Sequence, residues 1–222
     1  MTSHSATPLY REKGPSYFGT ARLDLLAMLP QGGGLRLLEL GAGDGATLRL
    51  AKERGLAAYA VGIDLVEPAD AEPRLDGFLS GNIEALELPF APASFDAVIA
   101  ADVLEHLVDP WQTVQRLAPL LAPDGVFLTS IPNFQNHRAW RPILFGGDFR
   151  YEDAGLRDRT HLRFFGRANL AGLFAGTGLE IVAVEENMGA YGLRHRLLDA
   201  LTLRRFHDWF VFQFRVRARR PL

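Results

Sequence analysis

Between residues 35 and 131 the chain alternates short, almost wholly apolar runs with stretches of helical pattern. Residues 35–40 (LRLLEL) read as a buried strand entered from the flexible Gly32-Gly33-Gly34. Residues 46–54 are helical in composition and stop at Gly55, a C-cap residue. Residues 57–65, 77–83 and 94–101 read as the next three strands. The last of these is nearly all apolar, as a strand covered on both faces should be. Asp109-Pro110 reads as an N-cap with proline at the first helical position, opening a helix to about Leu121. Pro123-Asp124-Gly125 is a turn, and residues 126–131 form a fifth strand.

Beyond Pro132 the pattern loosens. Residues 133–165 mix aromatics, charges and the pair Gly146-Gly147, which predicts an insert on the acceptor side rather than a regular element. Residues 167–176 read as a helix, 179–185 as a strand, and 209–219 as a last strand that alternates from Phe210. Residues 188–208 form a second insert before it. Strands alternating with helices predict one α/β domain over residues 1–222, built on a doubly wound, mostly parallel sheet.

Composition narrows the chemistry. With 48% hydrophobic and 23% charged residues among 222, the chain is not wholly disordered. It has no cysteine, which excludes disulfide scaffolds, thiolate nucleophiles and zinc–thiolate sites. No apolar run is long enough for a membrane span, and residues 1–8 lack a signal-peptide pattern, so a cytoplasmic protein is the default expectation. The net charge of −2 conceals a division. Residues 1–131 carry 17 acids and 9 bases, and residues 132–222 carry 9 acids and 15 bases. Eight arginines against two aspartates fall in residues 192–222, a run that ordinarily forms a solvated face.

The strongest local signal is LLELGAGDGA, residues 37–46. A strand ending in Glu39 meets Gly41-Ala42-Gly43-Asp44-Gly45 and then a helix, whose N-terminus offers unpaired N–H groups. Asp64 closes the next strand, where an acid can accept both ribose hydroxyls of a nucleoside cofactor. Gly41-x-Gly43-x-x-Ala46 also satisfies the dinucleotide fingerprint, so the loop by itself supports NAD or FAD nearly as well as S-adenosylmethionine. Glu39 can face a cationic cofactor end, and Asn82-Ile83-Glu84 can meet an adenine edge. The run Asp102–Leu107 after the fourth strand has no dinucleotide-fold rationale.

Together, residues 39–45, Asp64 in VGIDL, FDAVIAADVLEHLVDP (95–110) and LAPDGVFLTSIPN (121–133) resemble a class I S-adenosylmethionine-dependent methyltransferase over roughly residues 15–187. The resemblance implies a Rossmann-like seven-stranded sheet of order 3-2-1-4-5-7-6 with helices on both faces. It implies S-adenosylmethionine as cofactor, held by Tyr17, Arg22, Glu39, Gly41, Ala42, Gly43, Asp64, Leu65, Asn82, Ile83, Glu84, Ala101 and Asp102. SIPN at 130–133 and GLRDRTHLRFF at 155–165 further resemble a bacterial subgroup that accompanies glycosyltransferases, which implies a sugar or glycan-precursor acceptor in polysaccharide biosynthesis. Asp102, Glu105 and His106 match a metal-ligand pattern of some quinone-precursor O-methyltransferases, an alternative set beside an expectation of no metal.

Methyl transfer to an alcohol or ammonium group needs a general base, for which His161 and then His106 are the candidates. Asn133, His137, Tyr151, Arg159 and Arg163 are expected on the acceptor side. The partner expected is a small-molecule acceptor, with an anionic one favoured by the basic second half. A homodimer is compatible with the chain. Nucleic-acid base methylation is disfavoured because no N/D-P-P-Y segment follows the fourth strand. An oxidoreductase and a non-catalytic domain of the same fold stand as competing readings.

Overall fold

The computed structural model describes residues 20–65, 75–189 and 192–221. Its strands are β1 (Leu35–Leu40), β2 (Ala57–Asp64), β3 (Gly77–Ser80), β4 (Phe95–Ala101), β5 (Leu121–Pro132), β6 (Glu180–Asn187) and β7 (Gln213–Arg219). They form one sheet of order β3-β2-β1-β4-β5-β7-β6, the order expected. All neighbours are parallel except β7, which runs antiparallel to both β5 and β6. The first two helices are α1 (Leu23–Leu26) and α2 (Ala46–Glu53). They are followed by α3 (Pro110–Leu117) and α4 (His137–Gly146), then α5 (Leu170–Leu173) and α6 (Leu193–Leu201).

Residue alternation divides the core into two layers. Leu37, Ile99 and Leu128 meet Leu25 and Leu48 from α1 and α2 on one face. Leu38, Val98 and Phe127 meet Val114, Leu117 and Phe174 on the other. Phe127 is fully buried, so truncating it to alanine would cost about 3–5 kcal/mol.

Several boundaries differ from expectation. β3 stops at Ser80. Residues 122–125 loop out within β5, between Leu121 paired to Phe95 and Val126 paired to Ala97, so the expected turn sits inside a longer strand. Asp109 does cap α3 by accepting from Gln112 N–H, but the helix ends at Leu117 and continues as a 3-10 turn over Ala118–Leu120. The helix expected over 167–176 is a 3-10 turn followed by one short α-turn, α5. The last strand begins at Gln213, because His207–Trp209 forms a 3-10 turn instead. The insert over 133–165, expected to be irregular, contains α4. Asn136 caps α4 by accepting from Arg138 N–H, and Gly147 ends it at φ +60°. Pro142 lies inside α4 and removes one of its N–H donors, which hid the helix from the sequence pattern.

The second insert is fastened to the sheet by a histidine. His207 donates Nδ1–H to Asp199 at 2.6 Å and Nε2–H to Glu186 at 2.7 Å. Carboxylates only accept, so both ring nitrogens carry protons and the imidazole is a cation. Burial opposes that charge, but the bonds to Glu186 and Asp199 outweigh it and raise the His207 pKa above its ordinary 6.5. A raised value places the stabilisation below the unfolded pKa and removes it as pH climbs through the folded one. The urea midpoint is therefore expected to fall as pH rises above about 6.5, and His207→Gln should abolish that dependence.

Candidate functional site

The carboxyl ends of β1, β2 and β4 open on a cavity of about 380 Å³, within the range for a small-molecule site. The turn after β1 forms its floor. Gly41 sits at φ +64°, and a Cβ there would lie 2.5 Å from Val103 Cγ2, so only glycine fits without displacement. Asp64, at the end of β2, is buried and accepts the Gly43 N–H at 2.8 Å, which fixes the turn against the neighbouring strand. Glu39 is 2% exposed, and its Oε2 has no hydrogen-bond partner. Burial pushes its carboxyl up to about 8, against the pull of Thr47 and Arg22. A buried acid without a full set of partners, lining a cavity, is suited to a cationic ligand.

The wall beyond β2 is the segment 81–84. Asn82 Oδ1 accepts from Glu84 N–H, and Arg116 of α3 donates to the carbonyls of Ile83, Glu84 and Leu86. Glu84 lines the cavity, but its carboxylate accepts from the N–H groups of Val108 and Asp109. Asp102 follows β4 at φ +53°, a left-handed backbone. Arg22 reaches it at 2.5 Å, Gln213 donates to its other oxygen, and Ser130 Oγ accepts its N–H at 3.0 Å.

The opposite wall joins a 3-10 turn, Leu104–His106, to the lid segment 155–162. The Glu105 carbonyl accepts from Leu162 and Arg163 N–H, and His106 Nδ1 bonds the Thr160 carbonyl at 3.0 Å. That carbonyl can only accept, so in the neutral ring Nδ1 holds the proton and Nε2 the lone pair. The His106 and His161 rings lie 4.8 Å apart. The Glu105 carboxylate is 1% exposed and has no hydrogen-bond partner on either oxygen. Burial, reinforced by Asp102, pushes its pKa well up. Glu105, His106 and His161 each offer a donor atom within 4.8 Å of the others, close enough to hold a metal ion. The alternative metal set is thereby altered, because Asp102 is engaged by Arg22 and Gln213 while His161 takes its place.

Arg22, Glu39, Gly41, Ala42, Gly43, Asp64, Leu65, Asn82, Ile83, Glu84, Ala101 and Asp102 all line this cavity, as do His106 and His161. Tyr17 lies outside the described residues. The five acceptor-side residues do not line it. Asn133 is buried and donates to the Asp208 and Val211 carbonyls. His137 bonds the Trp209 carbonyl and borders a separate cavity. Tyr151 is exposed, Arg159 pairs with Asp153, and Arg163 donates to the Leu162 and Val108 carbonyls. Asp158, Phe212, Gln213 and Thr47 line the cavity without having been singled out as site residues. No spacing rule would have found Gln213, which arrives through the antiparallel insertion of β7 beside β5.

A family model described as a methyltransferase domain matches residues 10–184. The ubiquinone biosynthesis O-methyltransferase of Neisseria meningitidis serogroup C (strain 053442) is 27% identical over 157 residues, covering 67% of this chain and 65% of that protein. The chain thus spans less than two thirds of this curated relative. An S-adenosylmethionine dependent methyltransferase from Mesorhizobium loti shares the fold, with TM-score 0.62 and 24% identity over 93% of this chain and all of that one. So does a Burkholderia thailandensis N1-methyltransferase solved with S-adenosylhomocysteine, with TM-score 0.61 and 20% identity over 98% and 85% of the two chains.

The state of Glu39 is directly testable. Affinity for a cationic ligand such as S-adenosylmethionine should rise as pH passes about 8 and the carboxyl ionises. Calorimetric titration should lose that rise in Glu39→Gln.

Proposed function

The chain belongs to the methyltransferase-domain family, and we propose that it is an S-adenosylmethionine-dependent O-methyltransferase acting on a hydroxyl of a small-molecule acceptor. One observation carries this reading. A single cavity brings together two buried acids beside the glycine turn, Glu39 and Asp64, and the Glu105–His106–His161 trio across from them.

The donor set fits the cofactor. Asp64, the glycine turn and residues 82–83 would hold the nucleoside part, while Glu39 would face the cationic end. When bound, S-adenosylmethionine supplies a methyl group already activated by a positively charged sulfur. The chain's own work is positioning and proton removal. Arg22 and Gln213 hold the Asp102 carboxylate at the cavity edge. The lid is pinned by the Glu105 and Thr160 carbonyls, and Leu162 and Leu107 help to keep water out. His106, with its proton held at Nδ1, takes the acceptor hydroxyl proton at Nε2, and the neighbouring His161 orients the hydroxyl.

The name of the curated relative, and the apolar side chains of Leu107, Val108 and Leu162, favour a phenolic hydroxyl of a quinone precursor. A second reading, a sugar hydroxyl, is supported by the subgroup resemblance at 130–133 and 155–165 and by the basic second half of the chain. A turnover screen against catechol-type quinone precursors and nucleotide sugars separates the two.

Asp64→Ala should weaken cofactor binding by about 1–3 kcal/mol. His106→Ala should lower kcat roughly 10²–10⁴-fold with cofactor affinity retained. Unchanged turnover in His106→Ala would remove the base from this reading. Activity lost to a chelator and restored by a divalent cation would assign the trio to a metal instead.

A further inference from the structure

Two helical segments outside the sheet hold many of the large apolar side chains left in water. On α4, Leu144 and Phe145 are 67% and 75% exposed. On and just after α6, Leu197, Leu198, Leu201 and Leu203 are 55%, 51%, 79% and 90% exposed. Leu197, Leu198 and Leu201 follow i, i+1, i+4 spacing and share one helical stripe. The two segments adjoin. The His137 and His195 rings lie 5.5 Å apart, and Trp140 packs edge-on against Trp209 at 4.9 Å. Between them lies a cavity of about 430 Å³ walled by Leu198, Phe206, Trp209 and Phe210.

The same segments carry exposed arginines, Arg138 and Arg141 on α4 and Arg196, Arg204 and Arg205 on and after α6. Arg22, Arg36, Arg150, Arg157 and Arg167 each pair with a carboxylate. By contrast, Arg204 meets only the His207 ring, and Arg138, Arg141, Arg196 and Arg205 have no side-chain ion pair among the described residues. The one acid within 137–147 and 192–206 is Asp199, which is buried against His207.

We propose that this leucine–arginine face docks the protein on an anionic lipid bilayer. Apolar side chains enter the headgroup–acyl boundary, while arginines on long apolar stems reach lipid phosphates. A two-fold contact with a second copy would oppose arginines to arginines with no acid between them. Single-stranded nucleic acid stacks on aromatic faces, and the most exposed groups here are leucines. The proposal is independent of the acceptor's identity. No helix among the described residues is long and apolar enough to cross a membrane, so the contact is peripheral.

Cosedimentation of the full chain with vesicles of phosphatidylcholine, with and without phosphatidylglycerol, tests it. Binding is expected with phosphatidylglycerol present and should weaken in high salt. It should fall about tenfold both in Leu201→Asp/Leu203→Asp and in Arg196→Gln/Arg205→Gln, with the thermal midpoint of each variant unchanged. Absence of vesicle binding, or binding that both variants leave intact, overturns the proposal. So does self-association or RNA binding abolished by these variants in a protein that ignores vesicles.

Discussion

A single residue, Asp102, joins three distant parts of the chain, two through its carboxylate and one through its backbone N–H. Arg22 comes from just before α1, Gln213 opens β7, and Ser130 belongs to β5. Asp102 meets all three because it follows β4 in a left-handed backbone that turns its side chain across the sheet edge. A largely enclosed arginine needs an anion, and a half-buried aspartate needs donors. Each satisfies the other, and the sheet edge they brace is the rim of the cavity. The same Arg22 guanidinium binds Asp24, and Arg215 of β7 reaches Asp24 as well, so the first helix and last strand are tied into one polar seam.

The parts legible in the sequence share a physical character. The strands, the glycine turn and the acids at its side follow from local rules (apolar runs, positive φ, an acid closing a strand), whereas the strand order came with the family resemblance. Glu39, Asp64 and the 82–84 segment reach the cavity because each stands at or just past the end of a parallel strand, where the chain must turn. The illegible parts depend on distant partners. Asn133 carries the chemistry of a ligand contact, yet its amide is consumed by carbonyls some 75 residues away. His137 is turned from the cavity because α4, unannounced by the pattern, carries it toward Trp209. A histidine's sequence neighbours do not reveal which face its helix presents.

The division of charge found along the chain is only partly spatial. Glu39, Asp64 and Glu105 lie buried around the cavity, and burial holds the carboxyls of Glu39 and Glu105 toward the neutral form, so few of the acids in residues 1–131 bear on its charge. Arginines of the second half behave in two ways. Arg157, Arg159 and Arg167 are spent on carboxylates that hold the lid and the second insert. Arg138 and Arg141 of α4 and Arg196 of α6 are exposed and make no side-chain ion pair among the described residues. A net value for residues 132–222 therefore says less about the acceptor than about how that half is assembled.

The hairpin of β6 and β7 has a consequence of its own. Asn187 pairs with Gln213, so the segment between them leaves the sheet and returns at facing residues. Such an excursion is held by side-chain anchors at His207 and Asp208 rather than by strand pairing. Lengthening it costs little loop-closure entropy and shifts no strand register. One scaffold can thus exchange the part that meets its surroundings while the strand ends that shape the cavity stay unchanged. Diversification would be expected to concentrate there, where a new segment has only to begin and end at the same paired rung.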